Sequence, residues 1–180
     1  MRWLWAVVLL FSGCVASHVQ HTNGVRFDDS GNVVRWRQQN FPLSISHDDS
    51  LDDADILALH AAVRSWNRAI GTPVFRTMDE HWGAVHVRQH FLDNPSPNLI
   101  LQGLAWREYT DANYTRCVIT LNSETEDFET EIVLLHELGH ALGLEHDSWR
   151  ESIMYSNAVA SGGRIMQDDI QFIRWQVNGE

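Results

Sequence analysis

The spacing of apolar side chains predicts two long amphipathic helices in this chain. In residues 50–71 the apolar positions recur every three or four residues, which places them on one helix face. These positions are Ile56, Leu59, Val63, Trp66 and Ile70. Ser50 with Asp53 forms a capping pair in this pattern, and Gly71 marks the end of the helix.

The helical spacing returns from Phe128 onward and predicts the second long helix. Its apolar positions are Ile132, Leu135, Leu138 and Leu142. A third, shorter amphipathic segment covers residues 167–177 and carries two acids in its first turn, where the helix dipole favours them.

Shorter segments have the β-branched and aromatic composition that is typical of strands. We predict strands within residues 33–46, 73–78, 83–90, 99–106 and 115–122. Pro42 places a break or a sheet edge inside the first of them, and residues 148–164 have no regular pattern. A strand, a long helix, several strands and a further helix predict an α+β (mixed α/β) domain.

Length and composition are those of one globular domain. The chain has 180 residues, of which 44% are hydrophobic and 21% are charged. Asp and Glu outnumber Lys and Arg by 24 to 13, and the net charge is −11. Because an acidic surface repels phosphate backbones, we expect no nucleic-acid partner. We also expect the protein to be a monomer.

Residues 1–17 predict an export signal. Arg2 precedes an apolar run over residues 3–11, which is too short for a membrane span of about 20 residues. Cleavage before Cys14 and acylation of its sulfur are favoured, because "LFSGC" is similar to a bacterial lipobox. This would give a lipoprotein on the membrane. Cleavage near residues 16 and 17 would instead release a soluble secreted or periplasmic protein.

The remaining chain divides into a tether and a domain. Residues 18–32 are polar and rich in turn-forming side chains, so we predict a tether there, followed by the domain in residues 33–180. Cys14 and Cys117 are the two cysteines, and export removes or acylates the first. We therefore expect no disulfide, and we expect Cys117 to be a buried thiol of a strand.

The segment "HELGHALGLEHD", residues 136–147, places three histidines at a spacing that suits a metal ion. His136 and His140 are four residues apart, so both project from the same helix face. Gly143 permits the left-handed turn that ends a helix, and such a turn can return His146 to the other two. Three neutral imidazoles with one open position are the ligands of a catalytic zinc ion. We predict one zinc ion here.

Glu137 follows the first predicted ligand and lies one residue too far round the helix for an obvious core position. A carboxylate there can accept a proton from zinc-bound water and deliver it to a leaving amine. The pattern therefore indicates hydrolysis by attack of zinc-bound water, with Glu137 as general base and no covalent intermediate.

"HELGHALGLEH" resembles the long zinc-binding signature of the metzincin clan of metalloproteases. The order of the predicted elements over residues 33–177 is similar to that of the matrixin-like catalytic domains. The resemblance implies a twisted mixed β-sheet with two long helices, a catalytic helix, a Met-turn and a C-terminal helix. It also implies a zinc-dependent endopeptidase that acts outside the cytoplasm on a protein or peptide substrate.

The resemblance implies roles for residues outside the signature. "SIMY" is similar to the Met-turn of the clan, which would place Met154 as a hydrophobic floor under the metal. An edge strand would pair with an extended substrate through the backbone of Gly103, Leu104 and Ala105. Residues 155–164 would form the wall of the pocket for the side chain after the scissile bond.

The sequence also departs from the matrixin pattern. It has no "PRCGxPD"-like inhibitory segment, so we expect activity without a cysteine that blocks the zinc. His81, His86 and His90 do not reproduce the spacing of structural metal sites, so we predict neither a second zinc nor a structural calcium. Two other functions stay open: a non-catalytic zinc- or peptide-binding module of the same fold, and a zinc amidohydrolase acting on a non-peptide amide.

Overall fold

The structure, a computed structural model, describes residues 25–78, 82–93, 101–124, 127–157 and 162–179. Cys14 and His81 lie outside the described residues. In the described part of the chain, no helix is both long enough and apolar enough to cross a membrane.

One mixed sheet of five strands is the frame of the domain. Its strands are β1 (Leu43–His47), β2 (Phe75–Thr77), β3 (Val85–His90), β4 (Gly103–Thr110) and β5 (Asn113–Asn122). The spatial order is β2-β1-β3-β5-β4, and the first four strands in this order run parallel. Strand β4 pairs antiparallel with β5 and is the last strand at its edge among the described residues.

Three α-helices complete the described fold. They are α1 (Asp53–Ile70), α2 (Asp127–Ala141) and α3 (Gln167–Asn178). Helix α1 packs on α2, and α2 in turn contacts β4 and β5. The mixed α/β class that the apolar spacing predicts is confirmed, and so is the end of α1 at Gly71, whose φ of 84° lies in the left-handed region.

The N-cap of α1 differs from the prediction. Asp52, and not Ser50, accepts the first free N–H group, from Asp55 at 2.9 Å, and the Asp55 carboxylate accepts the N–H of Asp52. Ser50 is engaged elsewhere, because its hydroxyl donates to Asp48 and accepts the N–H of Gln89 at 2.7 Å. Ser50 with Asp53 and Asp52 with Asp55 both match the capping pattern in the sequence. The bond of Ser50 to Gln89 of β3 leaves Asp52 as the N-cap.

The strand predicted over residues 33–46 is wrong in its first half. Residues 38–40 form a 3-10 turn, and β1 begins at Leu43, directly after Pro42. Proline has no N–H for a sheet ladder, so the strand starts only beyond it. The earlier residues instead cross the end of α2, where the buried Trp36 indole donates to Ala141 O at 2.6 Å.

The strand predicted over residues 99–106 is shifted along the chain. Strand β4 runs on to Thr110, while residues 99–100 lie outside the described part. A tight turn joins β4 to β5, with φ angles of 49° at Asp111 and 58° at Ala112. Positive φ at both central residues matches the twist of a hairpin, so this turn determines where β4 ends.

Val25 and Arg26, at the start of the described part of the predicted tether, contact other parts of the chain. Val25 forms a single β-bridge with Leu144, directly after helix α2. Arg26 is 3% exposed, and its guanidinium lies over the Tyr109 ring at 4.8 Å from the centroid. The domain bounds at residues 33–180 stay a prediction.

Side chains of neighbouring helices donate hydrogen bonds to backbone carbonyl groups in helix α2 and directly after it. The fully buried Trp66 of α1 donates its indole N–H to Leu135 O at 2.9 Å. Gln176 of α3 donates to Leu142 O at 2.7 Å. These two hydrogen bonds hold the helix that carries the histidine motif.

Cys117 is a fully buried thiol of β5, as predicted.

Helix α3 begins with a buried carboxyl group at Asp169. Its oxygen accepts the N–H of Met166 at 3.0 Å, and the residue is 8% exposed. Burial raises the pKa of Asp169 to about 6, the Met166 N–H lowers it, and the charges of Asp147 and Asp168 raise it further. The ionised form of Asp169 therefore destabilises the fold.

We expect Asp169→Asn to stabilise the protein at pH 7 but not near pH 4. Because the folded-state pKa is raised above the unfolded value of 3.8, wild-type stability falls as pH rises from about 4 to 6 and then levels off. The shift corresponds to at most about 3 kcal/mol, and asparagine keeps an oxygen for the Met166 N–H. Urea unfolding of both proteins across this pH range measures the difference. A difference that does not change with pH would contradict the role of this carboxyl.

Candidate metal centre

The turn after helix α2 directs the third histidine of the motif back toward the first two. Gly143 has a φ of 98°, in the left-handed region that favours glycine. Its N–H donates to His140 O at 2.9 Å, and the N–H of Leu144 donates to Gly139 O at 3.1 Å. These two bonds end the helix as a Schellman motif. The chain therefore reverses direction and places His146 beside the helix.

Three imidazole nitrogens converge at one point. Nε2 of His146 lies 3.2 Å from Nε2 of His136 and 3.3 Å from Nε2 of His140. The three ligand atoms lie within 4.8 Å of one another. A tetrahedral zinc ion with Zn–N bonds of about 2.0–2.1 Å separates its ligand nitrogens by about 3.3 Å. The observed spacing fits zinc bound by these three side chains.

The tautomers of the two helix histidines also fit a metal ion. Nδ1 of His136 lies 2.6 Å from Ile153 O, and Nδ1 of His140 lies 2.8 Å from Leu144 O. A carbonyl oxygen only accepts, so Nδ1 carries the proton and Nε2 presents a lone pair. His146 can donate to at most one of these lone pairs. A cation at the centre satisfies all three nitrogens, which hydrogen bonds among them cannot do.

Burial keeps the helix histidines in the neutral form that binds metal. Burial lowers the pKa of His136 to about 4, against a smaller opposite effect of its hydrogen bond to Ile153. Burial also lowers the pKa of His140, and positive charge on the other two imidazoles and on Arg107 would lower it further. Neither imidazole carries a proton on Nε2 at neutral pH, as ligation requires.

Glu137 is buried between helix α2 and strand β4. The residue is 6% exposed, so the expectation that it lies off the core face is wrong. A Cβ atom built on Gly103 would lie 2.8 Å from Oε1 of Glu137 and 2.7 Å from Cγ1 of Val133. Only glycine permits this close approach of the helix to the strand.

The environment of Glu137 contains opposing influences on its charge. Burial raises the pKa of this carboxyl to about 8, while the positive charge of Arg107 and a hydrogen bond from the Ala105 N–H lower it. A divalent cation at the three histidines would act in the same direction as Arg107. The role of Glu137 as a general base stays a prediction.

Met154 packs under the histidine-bearing helix. It is fully buried, and a Cβ atom on Gly139 would lie 2.4 Å from its sulfur. The turn that carries it is tied to both ends of the motif. Ile153 O accepts from His136, and Met154 O accepts the N–H of Asp147 at 3.0 Å. The structure thus places this methionine against helix α2 at Gly139, and its role as a hydrophobic floor under the metal stays a prediction.

The predicted substrate strand lies next to the centre. Gly103, Leu104 and Ala105 are on β4, the edge strand of the described sheet, and the Ala105 N–H reaches Glu137. Their part in substrate pairing stays a prediction. Of the pocket wall that the resemblance implies, residues 158–161 lie outside the described part.

His86 and His90 do not join this centre. His86 is buried on β3, with Nδ1 3.0 Å from Ser46 Oγ and its ring stacked on Trp82. His90 is exposed on the same strand. Within the described ranges, one group of three ligand side chains comes together, and it is the motif histidines.

Arg107 and Glu145 form a buried ion pair that sequence reasoning did not predict. Their side chains are 0% and 9% exposed, and the guanidinium contacts the turn between the second and third histidines. The sequence does contain a signal for this pair: Arg107 is two residues after Ala105, so both side chains lie on the buried face of β4. A charge on the buried face of a strand needs a partner.

The mixed sheet, the motif helix and the histidine turn define a metzincin-like domain. A sequence model of the matrixin family of peptidases matches residues 15–176 of this chain. The chain belongs to the matrixin family. The resemblance of the motif and of the element order to matrixin-like domains is therefore confirmed.

This chain is also similar to a matrix metalloproteinase and to a solved zinc-protease. Matrix metalloproteinase-27 of Tupaia belangeri is 28% identical over 160 residues, which cover 77% of this chain. The match spans 30% of the length of that relative. Among solved structures, high choriolytic enzyme 1, a hatching enzyme zinc-protease of the medaka fish Oryzias latipes, has 12% sequence identity and a TM-score of 0.42. That match covers 80% of this chain and 70% of the other.

We expect zinc to stabilise the fold through the three histidines. At free zinc 100 times above the Kd, a ligand that binds only the folded state raises the free energy of unfolding by about 2.7 kcal/mol. His146→Ala should lose most of this effect because two ligands remain. His90→Ala, at an exposed position of β3, is the matched control and should retain it. Urea unfolding with and without zinc measures both; an equal loss in the two variants would indicate another metal site.

Proposed function

We propose that this protein is a zinc-dependent endopeptidase. One observation carries the proposal: the buried carboxyl of Glu137 lies beside the first of three converging histidines and is held by the Ala105 N–H. The membership in the matrixin family agrees with this arrangement.

The side chains of the centre divide the reaction between them. His136, His140 and His146 would hold a zinc ion, which would supply a Lewis acid for the peptide carbonyl and make water ionisable near neutral pH. Glu137 accepts the proton of the attacking water and returns it to the leaving amine. Because Ala105 and Gly103 confine the Glu137 carboxylate, it need not reorganise during this transfer.

The substrate is proposed to bind as an extended peptide along β4. This strand lies at the edge of the described sheet, and an edge strand offers backbone groups to a further strand. The backbone of Gly103, Leu104 and Ala105 borders Glu137, so a peptide paired there would present its bond to the general base. The chemistry then requires a polypeptide substrate and no nucleic acid.

We expect Glu137→Gln to lower kcat/KM for peptide cleavage by at least about 100-fold, because the amide cannot take a proton from water. Cleavage of a mixed peptide library is followed for wild type, Glu137→Gln and Glu131→Gln, an exposed position of the same helix that serves as control. A chelator should abolish cleavage, and added zinc should restore it.

The results also separate the two other functions that the sequence leaves open. If wild type binds one zinc per chain but cuts no peptide, a non-catalytic binding module is favoured. If it cuts small amides and no peptides, the zinc amidohydrolase is favoured. Either result would refute the endopeptidase.

We also propose that the protein is exported and carries a lipid on Cys14, as the pattern of residues 1–17 indicates. The alternative is a soluble secreted or periplasmic form with an N-terminus near residue 17.

We expect intact-mass analysis of the mature protein, purified from a bacterial host, to show an N-terminal Cys14 with bound acyl chains. Cys14→Ser should lose both the lipid mass and the membrane association, because no sulfur is available for acylation. A wild-type mass that begins near residue 17 would exclude the lipoprotein and favour the soluble form.

A further inference from the structure

A buried arginine from strand β4 holds the turn between the second and third histidines. Nη1 of Arg107 donates to His140 O at 3.1 Å and to Leu144 O at 3.2 Å. Nη2 donates to the Glu145 carboxylate at 2.5 Å. The guanidinium therefore contacts the turn at three points, and the last of them directly precedes His146.

Stability alone does not account for this pair. Both side chains are buried, so two charges are removed from water, and a buried ion pair contributes little net stability relative to an apolar pair of similar volume. The planar guanidinium fork, however, imposes directions on several acceptors at once. The arrangement therefore points to geometry as the function of Arg107.

The arginine acts on a ligand through a shared carbonyl group. Leu144 O accepts from Nη1 of Arg107 and also from Nδ1 of His140, at 2.8 Å. The same oxygen that orients the His140 ring is thus oriented by the arginine. Partners of this kind around metal ligands typically change metal affinity by about 10- to 100-fold when removed.

The turn has little freedom to adopt another shape. The Tyr114 ring packs against it, since a Cβ atom on Gly143 would lie 3.1 Å from Tyr114 Cε2. The Arg107 guanidinium carbon lies 5.5 Å from the centroid of the same ring. Strands β4 and β5 therefore supply both the charge and the apolar surface on which the turn rests.

We propose that Arg107 is a positioning residue of the zinc site, which holds the Leu144–Glu145 turn so that His146 meets the two helix histidines. Because Arg107 lies on the proposed substrate strand, it also ties that strand rigidly to the metal ligands. This inference rests on the zinc site of the proposed function, but it does not require that the protein cleave peptides.

Zinc affinity of the full chain, measured by competition with a chelator, tests the proposal. The variants are Arg107→Met, Arg107→Lys and Glu145→Gln. The matched control is Arg64→Met, at an exposed position of helix α1. Urea unfolding of the metal-free proteins and the visible spectrum of the cobalt(II) forms are recorded in parallel.

We expect Arg107→Met and Glu145→Gln to raise the zinc Kd at least about 10-fold and to change the cobalt spectrum. Arg107→Lys should lie between them and wild type, because lysine keeps the charge but not the fork. The control should stay within about twofold of wild type.

Folded variants that bind zinc within about threefold of wild type would overturn the proposal, even if their metal-free forms were less stable. If Arg107→Met does not fold, Arg107→Lys and Glu145→Gln decide the matter by the same criterion. A wild-type protein that binds zinc but cleaves no peptide would refute the endopeptidase and leave this test of Arg107 intact.

Discussion

Two imidazole lone pairs, on Nε2 of His136 and Nε2 of His140, point at Nε2 of His146, and the surrounding groups hold this arrangement. Nε2 of His146 lies 3.2 Å and 3.3 Å from these two nitrogens and can donate a proton to only one of them, so one lone pair needs another partner. Burial keeps the helix imidazoles neutral, and carbonyl groups hold their Nδ1 protons on the outer side. The fold is therefore arranged to receive a cation.

The elements around the centre place and orient the histidine side chains. Helix α2 provides two histidines, and the Gly143 turn returns the third. The Met154 turn accepts from His136 and approaches closely enough to require glycine at position 139. Backbone carbonyls of these two turns, Ile153 O and Leu144 O, thus orient two of the three imidazoles.

Strand β4 provides much of that support. The Ala105 N–H of this strand donates to Glu137, and Gly103 permits the close approach of helix α2. Arg107 donates to the turn between the second and third histidines. The same strand forms the exposed edge of the described sheet. A peptide bound at this edge would therefore lie on the element that orients both the proposed base and the third ligand.

Local chemistry in the sequence was sufficient to predict the helices, most strands and the histidine cluster. A period of three to four residues defines α1 and α2, and the i, i+4 spacing with Gly143 predicts convergence, because these depend on neighbours in the chain. Boundaries were less accurate. Strand β1 begins later than predicted, after Pro42, and β4 continues beyond its predicted end to the turn at residues 111–112. The N-cap of α1 is Asp52 and not Ser50, because the Ser50 hydroxyl bonds to Gln89.

The burial of Glu137 against Gly103 and the ion pair of Arg107 with Glu145 were decided by the tertiary structure alone. Each joins residues more than thirty positions apart in the chain, 34 for the first pair and 38 for the second. Periodicity describes one element at a time and carries no information about which strand will lie beside which helix. The sequence by itself therefore determined which side chains could bind a metal, and the packing of β4 on α2 decided how they are held.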